Sequence, residues 1–455
     1  MSAEMTPPSL WRQETRYLAR SGTTLAFNQL LQLVTPFVIT AMTGRVGVAA
    51  LAAGSLVGSI GLLLFITSLG VMQGLVPVVS LSLGARDHAA AARTVRGGLA
   101  IALVLGVVST VLMAFVPWGL ARAGQDPALV AIAERYVWAL LPAYLPTTLS
   151  IALRFFLIAS HDLKWLNPIV VVTTAFNLAC NLALASGQVA IDGITAIGLT
   201  SSATAWLSLF LLALALGRSR RLPGGLLDFR AGFALGDALK LGIPVGAIFF
   251  TETLMFAGSS VLMGYFGKVD LAAHGIVVLW LNIALMIPIG LSQAAMARVA
   301  SLLGQRDAAS LRHAVFAALL IGSAISIAIG GVLVFASDGL VRLTLWSRGS
   351  ADAQVIDAAR GFFRYCAVTQ LCSGQVIVMA SILRGLRDSN RALWFVMAIY
   401  WGIGLGGAVL FAFGLGLGGT GIWLGITLAF ACAVSLLTLR FRRALPRLGL
   451  GREPA

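Results

Sequence analysis

Twelve apolar runs, each long enough to cross a lipid bilayer, occupy almost the whole chain. A helix needs about 20 apolar residues to span the hydrocarbon core. The runs fall at 22–43, 49–80, 97–119, 129–157, 166–187, 193–217, 239–264, 271–297, 313–337, 355–383, 391–413 and 419–439. They predict an all-α integral membrane protein, and the longest of them predict tilt or extension beyond the bilayer. Composition agrees: 11% of residues are charged and 59% hydrophobic, against about 25% charged in a soluble domain. Such a chain cannot cover itself with polar groups, so lipid is its solvent. The segment before the first run holds Glu4, Arg12, Glu14, Arg16 and Arg20 and no apolar core of a cleavable leader, so the first span is expected to direct insertion.

A net charge of +15 raises the question of nucleic acid, and the placement of the charge answers it. With twelve spans both termini lie on one side. The termini and the loops on that side carry 23 of the 32 Lys and Arg residues, and the opposite loops and helix ends carry seven. Arg154 and Arg364 fall within spans. This bias marks the terminal side as cytoplasmic, with the protein multi-pass in the cell's inner membrane. The basic residues are topology signals in short loops, and no nucleic-acid partner is expected.

The two halves of the chain are copies. In a single ungapped register Gly22 aligns with Gly242, Gly44 with Gly264, Gly47 with Gly267 and Gly70 with Gly290. Leu51-Ala52-Ala53 aligns with Leu271-Ala272-Ala273, and Leu83-Gly84-Ala85-Arg86-Asp87 with Leu303-Gly304-Gln305-Arg306-Asp307. Further along the offset grows slightly, pairing Asp162 with Asp388 and Gly193 with Gly419. An even number of spans per half makes the repeats parallel, one of the known transporter plans, with the substrate site expected between the halves. The expected organisation is two pseudo-symmetric six-helix bundles, residues 1–217 and 239–455, joined by a linker at 218–238 that contains Arg218, Arg220, Arg221, Pro223, Gly224 and Gly225.

Of 17 acidic residues, sixteen fall in tails, loops or helix ends by this reading, and one does not. Glu252 lies in the seventh run, roughly 18 Å from Lys240 and 24 Å from Lys268 at 1.5 Å per residue. An intramembrane acid is costly unless paired, hydrated or protonated, and by default marks a functional site. Low dielectric favours the uncharged form of a carboxyl group, so one site can take a proton, Na⁺ or a cationic substrate in turn. Mutual exclusion at one site is a sufficient basis for antiport. The alternative is a protonated Glu252 acting as hydrogen-bonding glue between helices.

Phe249, Met255 and Phe256 stand at i−3, i+3 and i+4 from Glu252. An aromatic and thioether surface beside a carboxylate suits a greasy cation, and ordinary helix packing suits these residues equally. The repeat places Gln32 opposite Glu252, so only the second half ionises at this depth. Asn28, Asn177, Asn181, Asn282, Gln370 and Gln375 are further polar residues within spans. Asn177 and Asn181, one turn apart, either line a pathway or bridge helices. Gln375 joins the candidate cavity residues.

Other signals carry less. Gly402-Ile403-Gly404-Leu405-Gly406-Gly407 fits a dinucleotide pattern formally but lies inside an apolar span, so it reads as close helix packing. The four cysteines and four histidines show neither metal nor redox spacing, no cofactor is called for, and no phosphate-binding loop for ATP appears.

These residues resemble the multidrug and toxic compound extrusion (MATE) transporters of the bacterial NorM-like type, over nearly the whole chain. The markers are Leu75-Val76-Pro77-Val78-Val79 with Gly84, Leu271-Ala272-Ala273-His274, Leu303-Gly304 with Asp307, Leu383-Arg384-Gly385 with Asp388, and Gly419-Thr420-Gly421-Ile422-Trp423-Leu424-Gly425. The resemblance implies a V-shaped pair of six-helix lobes that exports cationic, amphipathic compounds in exchange for H⁺ or Na⁺; a monomer is the expected working unit. It also implies an acid in the seventh helix, matched by Glu252, and an asparagine in the fifth, matched by Asn177. Two positions depart from the pattern. Ile39 stands where the first helix would carry an aspartate, and Ser373 replaces an aspartate of the tenth. The candidate coupling set is therefore Glu252, Gln32, Asn177, Asn181 and Ser373, with any Na⁺ placed at Glu252. A lone carboxylate holds Na⁺ less readily than several oxygens do, which favours H⁺. The alternatives are a flippase or exporter of lipid-linked or anionic compounds, with Arg154 and Arg364 as its candidate basic residues, and, from another class, a membrane-embedded enzyme. The latter needs a polar constellation near one interface that this sequence does not display, so no enzymatic activity is expected.

Overall fold

The structure is a computed structural model that describes residues 7–185, 192–218, 232–345, 350–388 and 390–447. Among these residues twelve helical segments are long and apolar enough to cross a membrane: α1 Ser9–Val46, α2 Val48–Gly84, α3 His88–Arg122, α4 Pro127–Ala159, α5 Leu163–Leu184, α6 Gly193–Arg218, α7 Gly236–Gly264, α8 Lys268–Gln305, α9 Ala308–Phe335, α10 Ala353–Gly385, α11 Trp394–Gly414 and α12 Gly418–Arg443. Each matches one apolar run. Their exposed faces carry large apolar residues such as Phe210, Ile327 and Phe335, as lipid contact requires.

The repeat governs packing as well as sequence. α4 is the buried centre of the first six spans and packs on α2, α3 and α6. Six spans later, α10 is the buried centre of the last six and packs on α8, α9 and α12. The turns follow the same arithmetic. Gly47 and Gly267 lead into α2 and α8 with φ of 148° and 106°, a backbone region open to glycine at low cost. At the terminal-side ends of α2, α4, α8 and α10 the chain turns through a left-handed non-glycine residue: Arg86, His161, Arg306 and Arg387, with φ of 58–59°. The residue after each is an aspartate. Its N–H returns to the carbonyl five residues earlier, as in Asp87 to Ser82 at 2.9 Å and Asp388 to Leu383 at 2.9 Å. This is the Schellman closure of a helix end. Asp87 and Asp307 then accept the N–H of Ala90 and Ser310 and cap the helices that follow, as N-cap carboxylates do.

Two compact units emerge from the packing. One holds residues 27–246, the other residues 1–26 with 247–455. The divisions therefore fall inside α1 and α7, both continuous helices, while the repeat divides the sequence at the linker. Most of the linker expected at 218–238 lies outside the described residues. Within the second unit, Gly22 meets Leu291, and a Cβ on Gly290 would lie 2.2 Å from the Ala26 nitrogen. Within the first, a Cβ on Gly242 would lie 1.9 Å from the Val71 carbonyl oxygen, and one on Gly70 2.5 Å from Gly246 Cα. Matched glycines thus make matched helix contacts, 22 with 242 and 70 with 290.

The sequence predicts a tail before residue 22. The helix of α1 instead begins at Pro7. Glu14, assigned above to that tail, is fully buried and receives two hydrogen bonds from Arg298 of α8, Nε to Oε2 at 2.8 Å and Nη2 to Oε1 at 2.5 Å. Arg298 also lies over the Tyr17 ring, 4.8 Å from its centroid. A buried acid paired in this way escapes hydropathy analysis, because its partner comes from a span in the other half of the sequence. Removing one partner of a buried pair leaves the other charge uncompensated, at a cost of about 3–5 kcal/mol. Glu14→Gln is accordingly expected to lower the detergent-solubilised melting temperature sharply, and Glu14→Gln with Arg298→Met to recover part of the loss.

Candidate functional site

The acid that sequence singles out sits on α7 with its side chain half-buried. Among the described residues it makes no hydrogen bond and no ion pair. Its electrostatic neighbour is Tyr400, a fully buried residue of α11 whose ring is tilted at 52° against Phe430, with centroids 5.1 Å apart. Tyr400 opens a π-helical stretch, Tyr400–Leu405, and a second one runs over Leu410–Gly414. Wide turns of this kind recur at functional sites. Here the glycines let α11 approach two neighbours: Gly404 faces the Met255 sulfur of α7, and Gly421 and Gly425 of α12 abut the backbone at Ala412 and Ala408. The formal dinucleotide pattern at 402–407 is thus, at Gly404, a packing surface against the helix that carries Glu252.

Met255 is buried, and Phe249 and Phe256 are half-buried. Two turns beyond Glu252 on the same face of α7, Ser259 and Ser260 approach His274 Nε2 at 3.4 and 3.1 Å. His274 is fully buried, with Trp423 edge-on at 5.5 Å between centroids. The histidine Nδ1 and the Trp423 Nε1 have no partner among the described residues. Sequence alone gives His274 no role, for want of zinc spacing. The serine pair at helical spacing beyond Glu252 is the signal that marks its surroundings as polar.

The remaining candidates separate into small groups. Ser373 is fully buried and turns its hydroxyl to the Gln370 carbonyl at 3.4 Å. The Gln370 side chain beside it has neither its oxygen nor its nitrogen bonded among the described residues, so the interior around α10 has unfilled hydrogen-bonding capacity. Gln375 donates to Ser323 of α9 at 3.0 Å and ties two helices together. Asn177 donates to Thr204 of α6 at 3.1 Å, and Asn181 donates back to the Asn177 carbonyl at 2.8 Å. In this structure the asparagine pair bridges α5 to α6, one of the two roles that sequence leaves open.

Gln32 belongs to a different cluster. Its amide nitrogen donates to Asn28 Oδ1 at 2.8 Å and Gln29 Oε1 at 3.1 Å. Asn28 in turn donates to the Leu166 carbonyl at 3.1 Å. The Gln32 carbonyl accepts a hydrogen bond from Nη1 of Arg154. Arg154 is buried, while Arg364 is exposed. Among the described residues no three His, Cys, Asp or Glu side chains converge as a metal site would require.

Comparison with known proteins places this geometry in context. The MatE family model matches residues 25–183 and 244–410. A probable multidrug resistance protein NorM of Rhizobium meliloti (strain 1021) is 32% identical over 430 residues, covering 92% of this chain and 91% of its own. The protein of the same name from Burkholderia mallei (strain ATCC 23344) is 31% identical over 470 residues, covering 99% and 97%. Among solved structures, the eukaryotic MATE transporter AtDTX14 superposes with a TM-score of 0.82 at 20% identity, over 96% of this chain and all of that one. A MOP superfamily transporter from Pyrococcus furiosus, whose binding pocket is described as having reverse polarity, superposes with 0.86 at 16% identity, over 96% and 97%. At these identities the two structures speak for the fold alone.

Proposed function

The chain belongs to the MatE family, and from that premise we propose that it is a secondary active exporter that exchanges organic compounds for an inorganic cation by alternating access. Cationic, amphipathic compounds are the leading substrate class, and H⁺ the leading coupling ion. The observation that carries this reading is Glu252, a half-buried carboxyl group at mid-span with no hydrogen bond or ion pair among the described residues. A carboxylate left unpartnered in low dielectric gains much by taking a proton or a cation. Protonation and substrate binding at one carboxyl group exclude each other, which is the minimum that antiport needs. The half-buried rings of Phe249 and Phe256 supply a surface for the apolar part of a drug-like cation, whereas Met255, buried against Gly404 of α11, packs the helices together. The names of the bacterial relatives, multidrug resistance proteins, agree with this class. The charge bias of the loops supports cytoplasmic termini in the inner membrane.

Proteoliposomes with H⁺ and Na⁺ gradients imposed separately test the coupling. A pH gradient is expected to drive a fluorescent organic cation against its own gradient, and a Na⁺ gradient to add nothing. Transport driven by Na⁺ alone reverses the choice of ion. Transport driven by neither, or chemical turnover of a substrate by purified protein without vesicles, sinks the exporter reading. The second reading, export of anionic compounds, has one observation in its favour, the buried Arg154.

A further inference from the structure

We propose that Arg154, held by Gln32, forms an oxyanion-binding site within the unit of residues 27–246 that takes the carboxylate or phosphate of a ligand. Arg154 lies on α4 five residues before Ala159, about 7.5 Å from the helix end at 1.5 Å per residue. It is only 9% exposed, and no ion pair among the described residues includes it. A guanidinium group has five N–H donors and accepts nothing. One bond, to Gln32, is made, and the Nε–H has no acceptor among the described residues.

The surroundings are built to present this cation rather than to neutralise it. The Gln32 amide nitrogen is engaged by Asn28 and Gln29, so its carbonyl is turned to Arg154 and cannot be replaced there by the amide nitrogen. Phe155 packs with its ring centroid 5.6 Å from the guanidinium carbon. Gln32 itself is half-buried. Arg298 is half-buried and gives two of its donors to the Glu14 carboxylate. Arg154 has nothing comparable.

The repeat sharpens the contrast. Gln32 occupies, in the first copy, the position that Glu252 holds in the second. At this register the second copy holds an acid without a cation, whereas the first holds a glutamine bound to a cation without an acid. Planar, bidentate recognition of a carboxylate or phosphate is what a guanidinium group with free adjacent donors does best. The site refines the substrate class of the exporter proposed above. It rests on that reading for transport only, since binding needs no gradient.

Equilibrium binding with full-length protein in maltoside micelles tests it. The probes are rhodamine 110, which bears a free carboxylate, and rhodamine 123, its methyl ester. The acid is expected to bind roughly tenfold or more tightly than the ester, the scale set by a hydrogen bond between charged groups. Arg154→Gln should bring the acid to the level of the ester and leave the ester unchanged. Gln32→Glu supplies an internal carboxylate. It should abolish the same preference by occupying the Arg154 donors, which keeps the test decisive if Arg154→Gln does not fold. A parallel arm titrates phosphatidylglycerol. A melting-temperature rise in wild type that both variants lose assigns the site to a lipid phosphate, and acid preference without that rise assigns it to a substrate carboxylate. The absence of both effects, or their persistence in the variants, overturns the proposal.

Discussion

Glu252→Gln is expected to abolish gradient-driven efflux while leaving the protein folded and in the membrane. The substitution keeps size and hydrogen-bonding capacity and removes only the titrating charge. Contacts to a charged group contribute about 1.5–3 kcal/mol, so affinity for an organic cation should fall roughly 10- to 100-fold. The loss of coupling should be the larger effect. A site that cannot alternate between proton and substrate has no means of linking their gradients, since a ligand with equal affinity for two states shifts neither. Dye efflux should lose its dependence on external pH, measured at equal protein levels. Undiminished, still pH-dependent efflux would remove Glu252 from the mechanism.

The second large effect is expected from glycines at helix crossings. Gly242→Ala sets a methyl group 1.9 Å from the Val71 carbonyl oxygen, and Gly290→Ala sets one 2.2 Å from the Ala26 nitrogen. Overpacking usually costs about 1–3 kcal/mol. These two should reach or exceed the upper end, because the obstacle in each is backbone, which cannot rotate away. Gly275→Ala in α8, with nothing within 4 Å of the added carbon, is the matched control and should be neutral or slightly stabilising, since alanine is the better helix former. Thermal melts in detergent that fail to separate the three variants would show that these helices part more easily than their spacing implies.

Much of the fold is legible in the sequence because lipid imposes so simple a rule. Each apolar run is one span, and the glycine matches have physical causes. Gly47 and Gly267 share a positive φ, and Gly70 and Gly290 share the role of a close helix crossing. Glu252 is legible for the same reason, as the one acid far from any aqueous flank. Other features depend on distant partners and are not. Glu14 reads as part of a polar tail until Arg298 is seen beside it. Arg154 and Arg364 both read as basic residues within spans, and only packing reveals that Arg154 is buried and Arg364 exposed. The π-helical stretches of α11 leave no trace in hydropathy, which reads side chains and not the width of a backbone turn. Asn177 and Asn181 stand out by spacing, but whether such a pair lines a pathway or joins helices is decided by a residue elsewhere, here Thr204.

The division of the units inside α1 and α7 carries a consequence for how the duplicated halves depend on each other. Residues 1–26 are built into the unit of the later sequence, and residues up to 246, the start of α7 among them, into that of the earlier. Each copy thus lends its opening arm to the other, a reciprocal loan within one chain. A half expressed alone would lack the arm that completes it and would offer its own to nothing. The gene's two copies are therefore obligate partners: severed within 219–231, they should be recoverable as a pair or not at all.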